Sequence, residues 1–187
     1  MVDLFFLPLY NQSLNIEFQF LGLLQALEAF HRRTLGGQYL SVGKYERVRE
    51  HLVAQIPSSL TRDHKVALTS RIRYGYEFSL RKRLSQLVGV ITKDTMAKIT
   101  GSENLSGFIG RVVDTRNYLT HYDRSLKDNA MSPGEMIRAN HSLRLFLALL
   151  ILQEIHVPVD LSLNRLAERG HLRLPTFLDE GVVPSRE

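Results

Sequence analysis

The sequence predicts an all-α protein, a bundle of four to five main helices with additional short helices. Apolar residues recur at alternating steps of three and four along most of the chain, as on helices that lie on a core. No stretch alternates polar and apolar residues over the length of a strand. A chain of 187 residues falls within the single-domain range and can bury a substantial core.

The first helix is predicted to begin between residues 11 and 13 and to end at Arg33 or Thr34. Gly36 and Gly37 follow as a stop signal. Apolar residues cover more than one face of this helix, so it is expected to lie centrally or to bury a second side in a partner. Residues 1–10 are expected to be an extended lead-in.

Four shorter helices are predicted next, at residues 44–55, 61–72, 79–90 and 92–99. In the first of them Tyr45, Val48, Leu52 and Ile56 have the spacing of buried residues. Gly101 is expected to close the last one.

A longer helix within residues 102–123 carries an apolar stripe of Leu105, Phe108, Val112, Thr115 (by its methyl), Leu119 and Tyr122. At about 100° per residue, Asp114, Asn117 and His121 fall on the opposite face, with Arg116 at its edge. A basic group, a carboxamide and an imidazole therefore gather where packing does not require them.

Arg116 and His121 suit chemistry on a phosphodiester. An imidazole can transfer protons near neutral pH, and a guanidinium can bind two phosphate oxygens. Because residues five apart on an ideal helix point about 140° away from each other, Arg116 must reach through its long side chain, or the helix must loosen near His121. Alternatively, both are exposed side chains near a helix end, where the helix dipole favours positive charge.

Residues 123–130 are predicted to form a loop. Ser132, Pro133 and Glu135 then have the pattern of a capped helix start, and this helix should run to about residue 156, before Pro158. A last short helix is predicted at 160–169. The helical domain would thus span 11–169, followed by a C-terminal tail at 170–187.

Seven Lys or Arg residues lie between Arg62 and Arg83, interleaved with Tyr74, Tyr76 and Phe78. One interpretation is an RNA-contacting patch, for which the candidates are Arg71, Arg73, Arg81, Lys82 and Arg83. The other interpretation is a solvated helical face with aromatic residues in the core.

A second polar cluster lies on the first helix, where Glu28, His31 and Arg32 are spaced by three and four residues. The cluster predicts a salt-linked helix surface, or else support for the Arg116–His121 region from a neighbouring helix.

Other chemistries lack their sequence signals. The chain has no cysteine, no His-x-His or His-x-x-x-His spacing, and no Gly-rich phosphate loop, so no metal site and no cofactor are predicted. A formal charge of +5 favours a polyanionic partner. No export signal or membrane span is evident, so a cytoplasmic location is expected.

The spelling Arg116-Asn117-Tyr118-Leu119-Thr120-His121 resembles the active-site motif of HEPN-domain ribonucleases, in which a histidine follows an arginine by four to six positions. The long N-terminal helix and the apolar helix after the motif are similar to the ApeA-like HEPN branch. The resemblance covers roughly residues 11–156. It implies that Arg116, Asn117 and His121 are catalytic, with further support from Asp114, Thr120, Tyr122, Glu28 and His31.

What the resemblance implies is a metal-independent endoribonuclease that leaves 2′,3′-cyclic phosphate and 5′-hydroxyl ends on tRNA or mRNA. It also implies a homodimer with the motif at the interface, and a toxin-like or abortive-infection role. An antitoxin or an upstream regulatory domain would restrain such a protein. Two alternatives are a non-catalytic HEPN module that binds RNA, a nucleotide or a partner protein, and a dimerisation domain of a larger effector.

Overall fold

The computed structural model describes residues 15–168, and this part of the chain is all-α, as predicted. The α-helices are α1 Ile16–Thr34, α2 Val42–Ala54, α3 Arg62–Ile72, α4 Leu80–Ile91, α5 Lys93–Thr100, α6 Leu105–His121, α7 Pro133–Glu154 and α8 Val159–Glu168. Extended pairing within residues 15–168 is limited to one antiparallel bridge between Gln38 and Glu77.

Helix α1 starts later than predicted, because Asn15 is its N-cap and accepts a hydrogen bond from the Glu17 backbone N–H at 3.0 Å. Its predicted end at Thr34 is confirmed. Gly36 and Gly37 follow with φ values of 73° and 104°, which glycine adopts without steric cost.

The core forms where α1 packs against α7, with α4, α5 and α6 around them. Side chains with no exposed surface include Phe20, Leu23, Leu27, Leu87 and Leu147. Each such side chain contributes about 1.5–3 kcal/mol by leaving water. The expectation of a central first helix is therefore confirmed.

Helices α2 and α3 form an arm, residues 42–73, that contributes little to this core. Tyr45 is buried as predicted, but Val48 and Leu52 are 41% and 43% exposed, so the prediction that they are buried is wrong. The reason is that α2 packs mainly against α3, which has no buried residue of its own.

The segment between α6 and α7 is more regular than the predicted loop, since Arg124–Asn129 forms a 3₁₀ helix. Helix α7 begins with the predicted capping box of Ser132 and Glu135. The predicted lead-in at 1–10 and tail at 170–187 lie outside the described residues, so the domain division stays a prediction. Across residues 15–168, none of the helices is long and apolar enough to cross a membrane.

Candidate active site

Helix α6 presents the motif, which we define as residues 116–121. Val112 and Thr115 are buried, and Leu105, Phe108 and Leu119 pack against the core, so the predicted apolar stripe is largely observed. Tyr122 departs from the prediction because it is 71% exposed. The helix ends at His121, and Tyr122 turns out of it with φ 53° in the left-handed region.

Arg116 and Asn117 are held together at the partly buried side of the motif. The Nη1 of Arg116 donates a hydrogen bond to Asn117 Oδ1 at 3.1 Å. Among residues 15–168 Arg116 forms no salt bridge, so its remaining N–H groups are not committed to a carboxylate. Asn117 therefore orients the guanidinium and leaves it able to bind an anion.

His121 is exposed at the last position of α6. No side-chain hydrogen bond of His121 occurs within residues 15–168. The helix remains regular as far as His121, so the loosening that would turn Arg116 towards His121 does not occur. In one copy of the chain, their Cα–Cβ directions are thus about 140° apart.

Two tyrosines lie near His121 in the sequence and contact each other. The rings of Tyr118 and Tyr122 stack with centroids 5.6 Å apart and an angle of 22° between their planes. Tyr118 supports the exposed ring of Tyr122 from behind, which leaves the outer face of that ring open to a planar partner.

Asp123 follows and accepts hydrogen bonds from the backbone N–H and the hydroxyl of Ser125. These two hydrogen bonds lower the pKa of Asp123, and electrostatic interaction with His121 lowers it to a smaller extent.

Helix α4 brings one predicted RNA-binding residue to α6. Arg81 Nη2 lies 3.7 Å from Asp114 Oδ1, two residues before the motif. The guanidinium also lies over Gly110, where an added Cβ would be 3.1 Å from Arg81 Nη1. The structure thus joins Arg81 and Asp114 beside the motif.

The Thr120 hydroxyl donates to the Arg116 carbonyl at 2.7 Å, so it bonds back to its own helix.

The other predicted RNA-binding residues divide into two groups. Arg71 and Arg73 are exposed at the end of α3, and the Lys82 ammonium lies 5.9 Å from the ring centre of Phe78 at the start of α4. Arg83 is only 1% exposed, which rules out direct contact with a surface ligand. The prediction is wrong for Arg83, because backbone carbonyls from distant residues enclose its side chain.

Arg83 is the centre of a cluster with Glu28, His31, Arg32 and Glu77, in which Arg83 and His31 are buried and the other three side chains are partly exposed. Its N–H groups donate to the carbonyls of Gly36 at 2.9 Å, Gly37 at 3.3 Å and Phe78 at 3.1 Å. Glu77 accepts from Arg83 at 3.4 Å and from Arg32 at 2.5 Å, and Glu28 accepts from Arg32 at 3.1 Å. The guanidinium closes the junction where α1 ends and α4 begins.

His31 is fully buried in this cluster. Arg83 Nη1 donates to His31 Nδ1 at 3.1 Å, so the proton of the neutral ring is on Nε2, which donates to Gln86 Oε1 at 2.8 Å. Burial lowers the pKa of His31, while the hydrogen bond to Gln86 opposes that change. The prediction of a salt-linked surface is wrong for His31. Its hydrogen-bond partners lie on α4 and not on α6.

Sequence reasoning missed a link between α6 and the start of α7. Arg111 donates two hydrogen bonds to Glu135, at 2.6 and 2.9 Å, and Glu135 also accepts from Ser132. These bonds lower the pKa of Glu135 to about 2. The hydroxyl of buried Thr115 accepts from the Met131 backbone N–H at 2.9 Å. The capping box was visible in the sequence, but the pairing across 24 residues was not.

An all-α bundle that presents arginine, carboxamide and imidazole groups near the end of a late helix defines a HEPN-type domain. The family model described as Apea-like HEPN matches residues 21–161, and the chain belongs to this family. No curated protein and no solved structure matches the chain.

Proposed function

We propose that the protein is a metal-independent endoribonuclease of the HEPN type. HEPN domains are often ribonucleases, which supports the reaction class. The observation that carries the proposal is the state of the motif: within residues 15–168 the Arg116 guanidinium is hydrogen-bonded to Asn117 and forms no salt bridge, and His121 is exposed at the end of the same helix. Side chains that merely stabilise a fold have partners for their polar groups, as Arg83 has.

In the proposed reaction a ribose 2′-hydroxyl attacks the adjacent phosphate. A bond forms between the 2′-oxygen and phosphorus, and the bond from phosphorus to the 5′-oxygen breaks. His121 removes the 2′-hydroxyl proton as general base, or supplies a proton to the leaving 5′-oxygen as general acid, and water carries out the other proton transfer. Arg116 binds the phosphoryl oxygens and offsets their developing charge, while Asn117 orients Arg116. The products are a 2′,3′-cyclic phosphate and a 5′-hydroxyl.

Neighbouring side chains would support this reaction. Asp114 holds Arg81 at the motif, where the Arg81 guanidinium can contact a flanking phosphate. The exposed ring of Tyr122 can stack on a base next to the cleaved bond. Such stacking does not depend on which base is present. Lys82, Arg71 and Arg73 provide further exposed cations for the RNA strand.

A second copy of the chain would complete the site. Since Arg116 and His121 diverge on one helix, a homodimer with two α6 ends at its interface would place the arginine of one copy near the histidine of the other. HEPN domains often act in RNA-related, dimeric defence systems, which supports this arrangement. In a cell the protein would be a toxin-like or abortive-infection factor in the cytoplasm, restrained by an antitoxin or an upstream domain.

The test is incubation of the purified protein with total RNA and tRNA in EDTA, comparing wild type with His121→Ala. We expect fragments with cyclic phosphate ends from the wild type and none from the variant. His51→Ala is the matched control, because His51 is also an exposed helical histidine and lies outside the motif. Equal cleavage by wild type and His121→Ala would contradict the proposed site.

A second candidate is a non-catalytic HEPN module that binds RNA, a nucleotide or a partner protein, or that dimerises a larger effector. The divergence of Arg116 and His121 within one copy favours it. RNA binding without cleavage by wild type and His121→Ala alike would support this candidate over the nuclease.

A further inference from the structure

Positive charge is concentrated on the α2–α3 arm. Residues 42–73 contain seven Lys or Arg residues and three Asp or Glu residues, so the arm has a formal charge of +4 out of +5 for the whole chain. A domain that used charge only for solubility would distribute it over its surface. This asymmetry indicates that the arm meets a polyanion.

The two helices of the arm are joined by specific contacts although they bury little. The Tyr45 hydroxyl donates to the Ile72 carbonyl at 2.6 Å, which joins the start of α2 to the end of α3. The Tyr45 ring also lies 5.4 Å from the ring of Tyr76, beyond the end of α3. These contacts fix the relative position of the two helices without a second apolar core.

A shallow, open groove of about 440 Å³ lies along α3 beside α2, and five of its six lining residues are polar or charged. From α3 it receives Lys65, Val66, Thr69, Ser70 and Arg73, and from α2 it receives Arg49. The α3 residues follow the spacing of a single helical face. That face is largely exposed to solvent, and it carries two cations, two hydroxyls and a single apolar side chain.

The cations of the groove have few anionic partners. Arg49 is paired with Glu46, whereas Lys65 donates to the Ser58 carbonyl at 2.9 Å. The Arg73 guanidinium lies 5.6 Å from the ring centre of Tyr74, and it forms no salt bridge with any residue in 15–168. Lys65 and Arg73 are therefore able to bind phosphate oxygens.

We propose that this groove binds the phosphodiester backbone of single-stranded RNA at a place separate from the motif. Cations and hydroxyls along one exposed helical face fit the phosphates of a flexible strand, and exposed Tyr74 can stack on a base. The identity of the polyanion as RNA rests on the proposed function, whereas the groove itself does not.

The experiment measures binding of a fluorescent 20-nucleotide single-stranded RNA, in EDTA and over a range of salt concentrations. All proteins carry His121→Ala so that the RNA stays intact. Lys65→Gln with Arg73→Gln removes two groove charges, and Lys44→Gln with Arg47→Gln removes two exposed charges from the same arm outside the groove. We expect the groove variant to bind roughly tenfold more weakly and its salt slope to fall by about 1.4, with a smaller change in the control.

Equal losses in the groove and control variants would overturn the proposal, because they would reflect net charge alone. Preferential loss of binding to vesicles that contain phosphatidylserine, without a change in RNA binding, would also overturn it. Cleavage by the wild type combined with unchanged RNA binding by the groove variant would leave the nuclease standing and remove the groove. Groove-dependent RNA binding without cleavage would support the groove and contradict the nuclease.

Discussion

The molecule contains two arginine–histidine pairs in opposite environments. Arg83 and His31 come from different helices, are buried, and use their polar groups on carbonyls, Glu77 and Gln86. Arg116 and His121 come from one helix, and at the end of α6 their polar groups have few partners within residues 15–168. The same side-chain chemistry therefore stabilises the fold in one place and remains available for a ligand in the other.

The two arginine–histidine pairs should differ most in the free energy of unfolding, because replacing Arg83 should lower it strongly. Arg83→Ala leaves the carbonyls of Gly36, Gly37 and Phe78 and the carboxylate of Glu77 without their buried donor. We expect a loss of about 3–5 kcal/mol in the free energy of unfolding, measured by urea denaturation. A change below about 1 kcal/mol would contradict a structural role for the cluster.

Arg116→Ala should show the reverse pattern. The rate of RNA cleavage should fall by about 10²–10³-fold, since a group that stabilises charge in the transition state is lost. The free energy of unfolding should change by no more than about 0.5 kcal/mol. Arg138→Ala, which removes an exposed arginine on α7, is the control for the cleavage assay. Full cleavage by Arg116→Ala would remove Arg116 from the site.

Acidification should distinguish the two histidines. Burial lowers the pKa of His31 below 6.5, so the unfolded chain binds a proton there more readily than the folded chain. The contribution of neutral His31 is complete above pH 6.5 and is lost as the pH falls below it. Urea denaturation between pH 5 and 7.5 should show this loss in wild type and His121→Ala, but not in His31→Gln. If the free energy of unfolding depended on pH in the same way for all three proteins, His31 would not be buried in its neutral form.

Breaking the link between α6 and α7 should have the smallest effect on stability, and this effect should appear at a lower pH. The folded pKa of Glu135 is about 2, below its usual 4.5, so its stabilising contribution is present above pH 4.5 and disappears as the pH falls towards 2. Because Glu135 and Arg111 are both partly exposed, we expect about 1 kcal/mol. Acid titration of thermal unfolding should show a flatter curve for Glu135→Gln. A curve parallel to wild type would disprove the link.

Local signals in the sequence predicted most of the helices correctly. Ser79 and Ser132 were recognised as helix starts because capping depends on a few neighbouring residues. Gly36–Gly37 and Gly101 were recognised as stops for the same reason. The start of α1 and the 3₁₀ helix after α6 were not predicted, because no comparable signal marks them.

Burial of polar side chains could not be read from local patterns. Arg83 directly follows Arg81 and Lys82, so its preceding sequence is that of a basic surface. Its acceptors are 46 and 47 residues away, at Gly37 and Gly36. Helical periodicity predicted the exposed side of the motif, since that depends on spacing within α6 alone. It failed for Tyr122, where the helix had already ended.

The bridge between Gln38 and Glu77 has a consequence for how this protein can be altered. The Gly37 carbonyl accepts from the Phe78 N–H at 3.0 Å, and the Tyr39 N–H donates to the Tyr76 carbonyl at 2.8 Å. The chain therefore leaves the helical bundle and returns to it at this bridge. The residues between Tyr39 and Tyr76 can therefore be lengthened, exchanged or replaced by a short turn. We expect the helix that carries the motif to keep its register after such a change.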